Sequence, residues 1–599
     1  PKSQSMKISL INLLLATSCG IALAADPPLP EGGNALLTNT TKAQFSIPPE
    51  VGGVTSLTIA DALANPVIRA EVNAPPPVPW KAFVAYPLGS AIMKGDVCLL
   101  GFQMRALSRD GASARGAIGV NVQLNPSHEK IVDQRYKPTA VWQKVSLPFR
   151  AELAIPEGSG VINLLFGSEP QTVELCDLQL TNYGPHADLT KLPHVPVETY
   201  GGREANAPWR KIAAANIEKH RKSELRIAVV DASGKPVPNA QVRVNLKRHA
   251  FGFGSAVTVD QILNWKTGGD KYRAMVEENF SRVVLENDLK TQNWMKAGET
   301  ERAAHRTRTM ETLGWLRGKE IPVRGHFLAW CYTQPWNESY FKAKDVPGIK
   351  RQIYDHMDSV LKETGNRLIE WDVINHPVAF GGNIADLAGP QVYAEIFNEA
   401  RKRTGLKLWV NEDLFDSRER QDRYFEVVKR MIDDGAKPDG IGNMAHFRGA
   451  NLISIPDWLA MSDRFATLVP NLAVTEYDLE TENDELQADY LRDLLTATFS
   501  HPAYTQFIMW GFWEGKHWRP QAALWREDWS EKPSGKVWRE LVKEKWHTRA
   551  EGRADGKGNY RVRGFHGTYE ITVTSNGIFR TVNATLAKEG SEIRVALAK

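Results

Sequence analysis

Cysteine is scarce: the 599-residue chain has four. No Cys/His spacing matches a zinc site, and no metal or phosphate signature appears, so no cofactor is implied. Long apolar runs are as few. Beyond an N-terminal stretch, none reaches the roughly 20 residues that a helical membrane span requires. An excess of either charge is also missing. Lys+Arg number 74 against 70 Asp+Glu, and the signs are interspersed. A nucleic-acid surface, which needs clustered basic residues, is excluded.

What is present describes an ordinary soluble globular protein, 42% apolar and 24% charged. The length is too great for one core and predicts three or four domains. Tryptophan is plentiful at 18 residues, many near the ends of expected strands. Most read as core, a few as platforms for flat apolar ligand faces. Lys7 followed by Ile8–Ala24 reads as a secretory signal, with Ala22-Leu23-Ala24 as its small-x-small cleavage site. The residues before Met6 read as upstream of the start. A secreted or periplasmic monomer is expected, with no membrane contact after cleavage. Lipidation at Cys19 is the alternative. The mature chain then keeps Cys98, Cys176 and Cys331. Cys98 and Cys176 share a β-rich region and either pair or remain buried thiols.

The chain divides by texture. Residues 1–24 are the signal and upstream residues. Residues 25–183 carry short alternating runs, such as 117–124, 141–149, 160–166 and 172–180, between Gly, Pro, Asn and Asp. That is β-sandwich texture. Residues 184–224 are rich in Pro and Gly and then turn helical, a linker and helix. Residues 225–247 read as strand, turn, strand. Over 248–547 strands alternate with helices eight times, which predicts a (β/α)8 barrel. The strand candidates are Phe251–Val257, Arg282–Glu286, Val323–Trp330, Ile369–Asn375, Leu406–Asn411, Gly440–His446, Leu472–Glu476 and Phe507–Phe512. Residues 548–599 return to β, with turns at Asp555-Gly556 and Asn576-Gly577. The two β segments flanking the barrel each have too few strands to bury a face, so they are expected to join into one small domain.

In such a barrel the chemistry collects at the C-terminal strand tips. Those tips carry Glu286-Asn287, His326 and Trp330, Asn375-His376, Asn411-Glu412-Asp413, His446, Glu476 and Trp510. One such residue has a structural explanation. Seven tips at one rim do not, because unpaired buried charge costs several kcal/mol. The fourth strand, Leu368 to Pro377, reads as apolar along its length and polar only at its tip. Carboxylates, carboxamides and Trp without metal or phosphate signals suit a sugar polymer. Glycoside hydrolysis needs a nucleophile on one side of the anomeric carbon and a proton donor on the other. Glu476, in Thr475-Glu476-Tyr477-Asp478, fits the first role.

Over about Arg248–Val542 the chain resembles glycoside hydrolase family 10, the endo-β-1,4-xylanases. Phe251-Gly252-Phe253-Gly254 is similar to the family's opening strand. Glu286-Asn287 with Lys290 is similar to its sugar-binding Glu-Asn-x-x-Lys. Arg324-Gly325-His326 through Trp330, Trp371-Asp372-Val373-Ile374-Asn375, Gly440-Ile441-Gly442 with His446, and Thr475-Glu476 follow in the family's order. Trp510-Gly511, Trp518 and Lys532-Pro533 resemble its closing segment. The resemblance implies a TIM barrel and a retaining mechanism through a glycosyl-enzyme intermediate on Glu476. It also implies a sugar site built from Glu286, Asn287, Lys290, His326, Trp330, Asn375, His446, Trp510 and Trp518. Runs in the N-terminal region, such as Val141-Trp142-Gln143-Lys144-Val145, resemble carbohydrate-binding modules; a purely structural sandwich is the alternative.

Three positions depart from the family. His376 stands where the acid/base Glu is expected, Met444 where a Gln contacts that Glu, and Cys331 where a second His follows Trp330. His376 as acid/base is one reading, since imidazole titrates near neutral pH. Glu412 or Asp413 as the donor is a variant. A carbohydrate-binding protein without turnover and a glycosidase for another β-linked glycan are the alternatives.

Overall fold

The computed structural model describes residues 32–597, except 38–43, 47–54, 61–66, 74–78, 108–115, 141, 194–198, 265–268, 333–344, 379–382, 414–417 and 450–451. The expected signal stretch and Cys19 lie outside the described residues. The chain forms two units, Pro1–Val197 and Glu198–Lys599.

The first unit is an antiparallel sandwich. One sheet runs Thr55–Ala60, Val67–Val72, Gln171–Asn182, Val97–Ala106 and Gln143–Arg150. The other runs Gln44–Ser46, Phe83–Pro87, Gly160–Leu165, Ile118–Leu124 and Glu129–Tyr136. Period-two alternation sends Leu100, Phe102 and Met104 inward to meet Val120, Val122 and Ile162. On the outward side Glu174 pairs with Arg69 and Arg105. Register decides the cysteine alternative. Cys98 sits opposite Asn182 and Cys176 opposite Gln103. Positions 98 and 103 lie roughly 16 Å apart along one strand, beyond the reach of a disulfide. Both thiols are unbridged and buried.

In the second unit the barrel flanks join. Lys222–Asp231 pairs antiparallel with Asn559–Phe565 and parallel with Ser591–Leu597. Gln241–His249 pairs with Arg549–Arg553 and Gly567–Ser575, and the latter with Ile578–Leu586. Each sheet thus takes strands from both flanks, enclosing Ile227, Val229, Val244, Ile571 and Val595. The hairpin at Asn576-Gly577 has left-handed φ at both residues, 49° and 77°, the turn that matches strand twist. Part of the stretch read as a linker is fastened down. Tyr200 and Arg210 both bond Asp493, and Arg203 bonds Asp489.

Eight parallel strands close the barrel: Gly252–Val257, Arg282–Leu285, Val323–Trp330, Glu370–Asn375, Lys407–Glu412, Gly440–Asn443, Leu472–Glu480 and Tyr504–Met509. The first pairs with the eighth and the sixth with the seventh, which completes the ring. The fourth strand differs from its sequence reading. Glu370 and Asp372, two residues apart on one face, are buried in the barrel. Arg324 of the third strand makes this possible, bonding Glu370 at 2.7 Å and also pairing with Asp372. Arg282 and Gln506 add bonds to Glu370. Burial pushes the Glu370 carboxyl up, but Arg324, Arg282 and Gln506 outweigh it and hold the carboxyl below its usual range. The sixth strand also ends early. Ala445 takes a left-handed φ of 67°, and His446–Arg448 continues beside the seventh strand instead.

Among the described residues no helix is long and apolar enough to cross a membrane.

Candidate active site

Glu476 lies in the seventh strand, 5% exposed. Asn411, from the fifth strand, donates its amide to Glu476 Oε1 at 2.8 Å. The Thr475 hydroxyl donates to the Asn411 carbonyl oxygen at 2.7 Å, which fixes the amide's orientation. The same amide nitrogen bonds Asn375 Oδ1 at 3.0 Å, joining the fourth, fifth and seventh strands. On the other oxygen, His446 Nε2 lies 3.2 Å from Oε2. Asp478 holds the far side of that ring at 2.9 Å, and in turn accepts from Trp518 Nε1 at 2.7 Å and Arg519 Nη1 at 3.0 Å. Glu476 and Asp478 face the same way because side chains alternate along a strand.

This network sets the charges. Burial works against both ions. For His446, Asp478 and Glu476 outweigh it and raise the imidazole to about 10. For Glu476, neighbouring His326, His446 and Lys290 outweigh it and hold the carboxyl at about 2. Burial also pushes His326 below its ordinary value, against the pull of Glu476 and Asp372. His326 Nδ1 bonds Asp372 at 2.9 Å and stands 3.9 Å from Glu476 Oε1. The buried Arg324–Asp372 pair therefore reaches the rim through His326.

Lys290 lies beneath the sugar-binding candidates. Its ammonium bonds Asn287 Oδ1 at 2.9 Å and sits 5.6 Å from the Phe327 ring and 5.8 Å from the Trp510 ring. Burial lowers it, opposed by Glu476, Glu286 and Asp288. Trp510 packs 5.1 Å from His326 and 6.2 Å from His446. Gly511 follows with φ of 110°, and a Cβ there would meet His517 at 2.6 Å, so only glycine fits the turn. Trp518 is 53% exposed and packs 5.0 Å from His446.

His376 begins the opposite side. It follows Asn375 with a left-handed φ of 57°, costly for a non-glycine residue. Its backbone N–H donates to the Asn411 carbonyl at 3.0 Å, and the Tyr393 hydroxyl donates to the carbonyl of Pro377 at 2.7 Å. The ring packs edge-on against Trp330 at 5.1 Å. Nδ1 lies 3.1 Å from Glu412 Oε1, and Glu412 also accepts the backbone N–H groups of Val378 and Asp413, each at 2.8 Å. Cys331 is buried and donates its backbone N–H to the Asn375 carbonyl. Met444 is fully buried.

The geometry thus brings His326 and His446 to Glu476, joins Asn375 to it through Asn411, ties Lys290 to Asn287 and Trp510, and packs His376 on Trp330. Glu286 enters only through its charge near Lys290. Sequence reasoning placed Asn411 at the rim without a role, and missed Asp372, Asp478 and Arg519 as supports of the site. It also named Glu412 only as a substitute donor, whereas Glu412 is the partner of His376. The period-two spacing of Asp478 from Glu476 was the one available signal. Among the described residues no His, Cys, Asp and Glu cluster is arranged to hold a metal.

Comparison with known proteins gives one family. The model described as glycosyl hydrolase family 10 matches residues 243–540. Anti-sigma-I factor RsgI6 of Acetivibrio thermocellus is 31% identical over 378 residues, covering 62% of this chain and 47% of that protein. Endo-1,4-beta-xylanase 2 of Arabidopsis thaliana is 25% identical over 391 residues, covering 64% of this chain and 35% of that protein. The chain thus spans half or less of the length of these curated relatives. Among solved structures, xylanase 10B from Thermotoga petrophila RKU-1 in complex with xylobiose is 19% identical, with a TM-score of 0.44. It covers 49% of this chain and 95% of its own.

Proposed function

We propose, from the premise that this chain belongs to glycosyl hydrolase family 10 through residues 243–540, that it is a retaining glycoside hydrolase acting on β-1,4-xylan or a related plant-type β-glycan. One observation carries the reading. An ionised carboxylate, Glu476, is locked by Asn411 and His446, while the next residue after Asn375 is an imidazole backed by the Glu412 carboxylate.

In the first step Glu476 attacks the anomeric carbon and the bond from that carbon to the glycosidic oxygen breaks. The leaving oxygen takes the proton from His376 Nε2, and the sugar remains as an ester on Glu476. In the second step water attacks the anomeric carbon. Its proton goes to His376 Nε2, the ester bond breaks, and Glu476 is restored with the configuration retained. Glu412 accepts from Nδ1, which fixes the tautomer and leaves Nε2 for the proton that is transferred. Lys290, Asn287 and Glu286 offer charge-assisted bonds to sugar hydroxyls, and Trp510 and Trp518 offer apolar faces to the ring. The xylanase names of several relatives support xylan as the substrate. Export belongs to the same reading, supported by Lys7 and the apolar residues after it. So does glycan binding by the N-terminal sandwich, supported by Trp80, which is 66% exposed.

A second reading, a glycan-binding protein without turnover, is favoured by the missing acid/base carboxyl at 376. A panel of β-glycans assayed with the protein and its Glu476→Ala variant separates the two. Products with retained configuration that vanish in the variant support the hydrolase. Affinity without products supports the binder.

A further inference from the structure

The near balance of charge over the whole chain conceals a difference between its parts. The domain made from the barrel flanks, residues 222–249 and 549–597, carries 14 Lys and Arg against 7 Asp and Glu. The rest of the chain carries 60 against 63. The double displacement uses none of that excess.

The four-stranded sheet of this domain runs Arg549–Arg553, Gln241–His249, Gly567–Ser575 and Ile578–Leu586. Val242, Val244, Ile571 and Val573 belong to the core, so alternation turns the residues between them outward. Register sorts the outward face into two halves. On the first two strands Arg549 stands opposite Asn245, Glu551 opposite Arg243 and Arg553 opposite Gln241. On the last two, Glu570 stands opposite Asn583, Thr572 opposite Thr581 and Thr574 opposite Phe579. One half is therefore cationic and the other mostly hydroxyl and carboxamide. The Phe579 ring closes one corner and is 73% exposed. The three arginines are exposed as well. Arg243 Nε donates to Glu551 at 2.7 Å, and Arg553 Nη1 to the Asn239 carbonyl at 3.2 Å. Arg549 lies near Lys543 and adds to the burial that lowers that ammonium, so like charge gathers at its corner.

We propose that this outward face binds an acidic polysaccharide, a glycan chain carrying carboxylate side groups. A guanidinium presents a planar fork that takes a carboxylate through two parallel bonds. Thr hydroxyls and carboxamides both donate and accept, as sugar hydroxyls require. An exposed aromatic ring offers an apolar face to a pyranose. The four strands span roughly 14 Å, and outward residues repeat about every 7 Å along them, room for several sugars. The two carboxylates, Glu551 and Glu570, decide against a polyphosphate or an anionic bilayer. Such a partner brings a dense row of negative charge against them and leaves the hydroxyl half unused. A glycan with carboxylates on only some of its sugars uses both halves. As a statement about substrate, that the enzyme works on xylan bearing uronic-acid groups, the inference rests on the hydrolase reading; binding itself does not need turnover.

The test uses the full chain carrying Glu476→Ala, so that no polymer is consumed. It is titrated with glucuronoxylan and with the same polymer after its carboxyl groups are reduced to alcohols. Vesicles of phosphatidylcholine and phosphatidylglycerol in equal parts, and duplex DNA, complete the set. Native polymer should bind about tenfold more tightly than reduced polymer, and rising ionic strength should erase the difference. Arg243→Gln, Arg549→Gln and Arg553→Gln together should erase it too. Phe579→Ala should weaken both polymers about threefold. The comparison of the two polymers needs no substitution in this domain, so it holds even where the triple variant fails to fold. Equal affinity for the two polymers, or a difference that survives in the folded triple variant, overturns the proposal. So does binding of vesicles or DNA that is tighter than that of native polymer and is lost with the arginines. If the affinity pattern holds but the unaltered chain releases no product from any glycan, the face stands and the hydrolase reading fails. Product release without the pattern overturns the face alone.

Discussion

The two sides of the barrel rim are built differently. On the nucleophile side every charged group has two or more fixed partners. Glu476 is held by Asn411 and His446, and His446 by Glu476 and Asp478. Asp478 is held by His446, Trp518 and Arg519. With Glu476 at about 2 and His446 at about 10, neither changes charge across the neutral range. On the donor side, His376 sits on a strained backbone against Glu412 and Trp330, and Asp413 titrates at about 7. Retaining chemistry asks for this contrast: a nucleophile that stays ionised and a donor that must gain and lose a proton each cycle.

Breaking the locked side should have the largest effect. On the proposed mechanism Glu476→Ala removes the atom that would form the covalent intermediate, so turnover should fall on every substrate, by more than the roughly 10²–10⁴-fold worth of acid–base assistance. Activated aryl glycosides should be lost along with xylan. Breaking the donor side should discriminate. His376→Ala should cut xylan turnover by about 10²–10⁴-fold but spare aryl glycosides, whose departure needs little protonation. Paired rate measurements on the two substrate types check this. Xylan turnover indifferent to His376→Ala would remove His376 as the acid.

Stability should show the contrast next. Arg324 carries the buried Glu370 and Asp372 beneath the nucleophile side. Arg324→Met removes the cation shared by both carboxylates, leaving Glu370 to Arg282 and Gln506 and Asp372 to His326, and should cost up to about 3–5 kcal/mol. Neutralising them as well, with Glu370→Gln and Asp372→Asn, should recover part of the loss. Urea unfolding of the three proteins measures it. A loss below about 1 kcal/mol for Arg324→Met would mean the carboxyls simply take up protons.

The barrel was legible because short apolar runs alternated with 3.6-period helices, and its tips because polar residues interrupted those runs. The joined flanking domain was legible from strand counting alone. Compensation was not. Glu370 reads as a lapse in an apolar strand, since Arg324 lies 46 positions away and meets it only through the pairing of the third and fourth strands. The pairing of His376 with Glu412 was hidden for the same reason, and so was the left-handed turn at Ala445 that swings His446 beside Asp478. The cysteine alternative could be decided only by register, which one sequence does not contain.

The smallest expected effect concerns Met444, where the two sides touch through the backbone. Its N–H donates to the Glu412 carbonyl at 2.9 Å and its carbonyl accepts from the Glu476 N–H at 3.0 Å. The family resemblance places at 444 a Gln that contacts the acid/base carboxyl, a contact a thioether offers only weakly. Met444→Gln nearly conserves volume, so packing should tolerate it. Its carboxamide nevertheless needs partners in a buried position. Beside His376 it should leave a donor unmet and cost about 1–3 kcal/mol. Combined with His376→Glu, the amide gains a carboxylate acceptor, and the pair should be more stable than the sum of the single changes by about 0.5 kcal/mol or more. Unfolding free energies of the four proteins close the cycle. Additivity within about 0.3 kcal/mol would mean that position 444 does not sense the donor, and that the two sides communicate through Asn411 and the backbone instead.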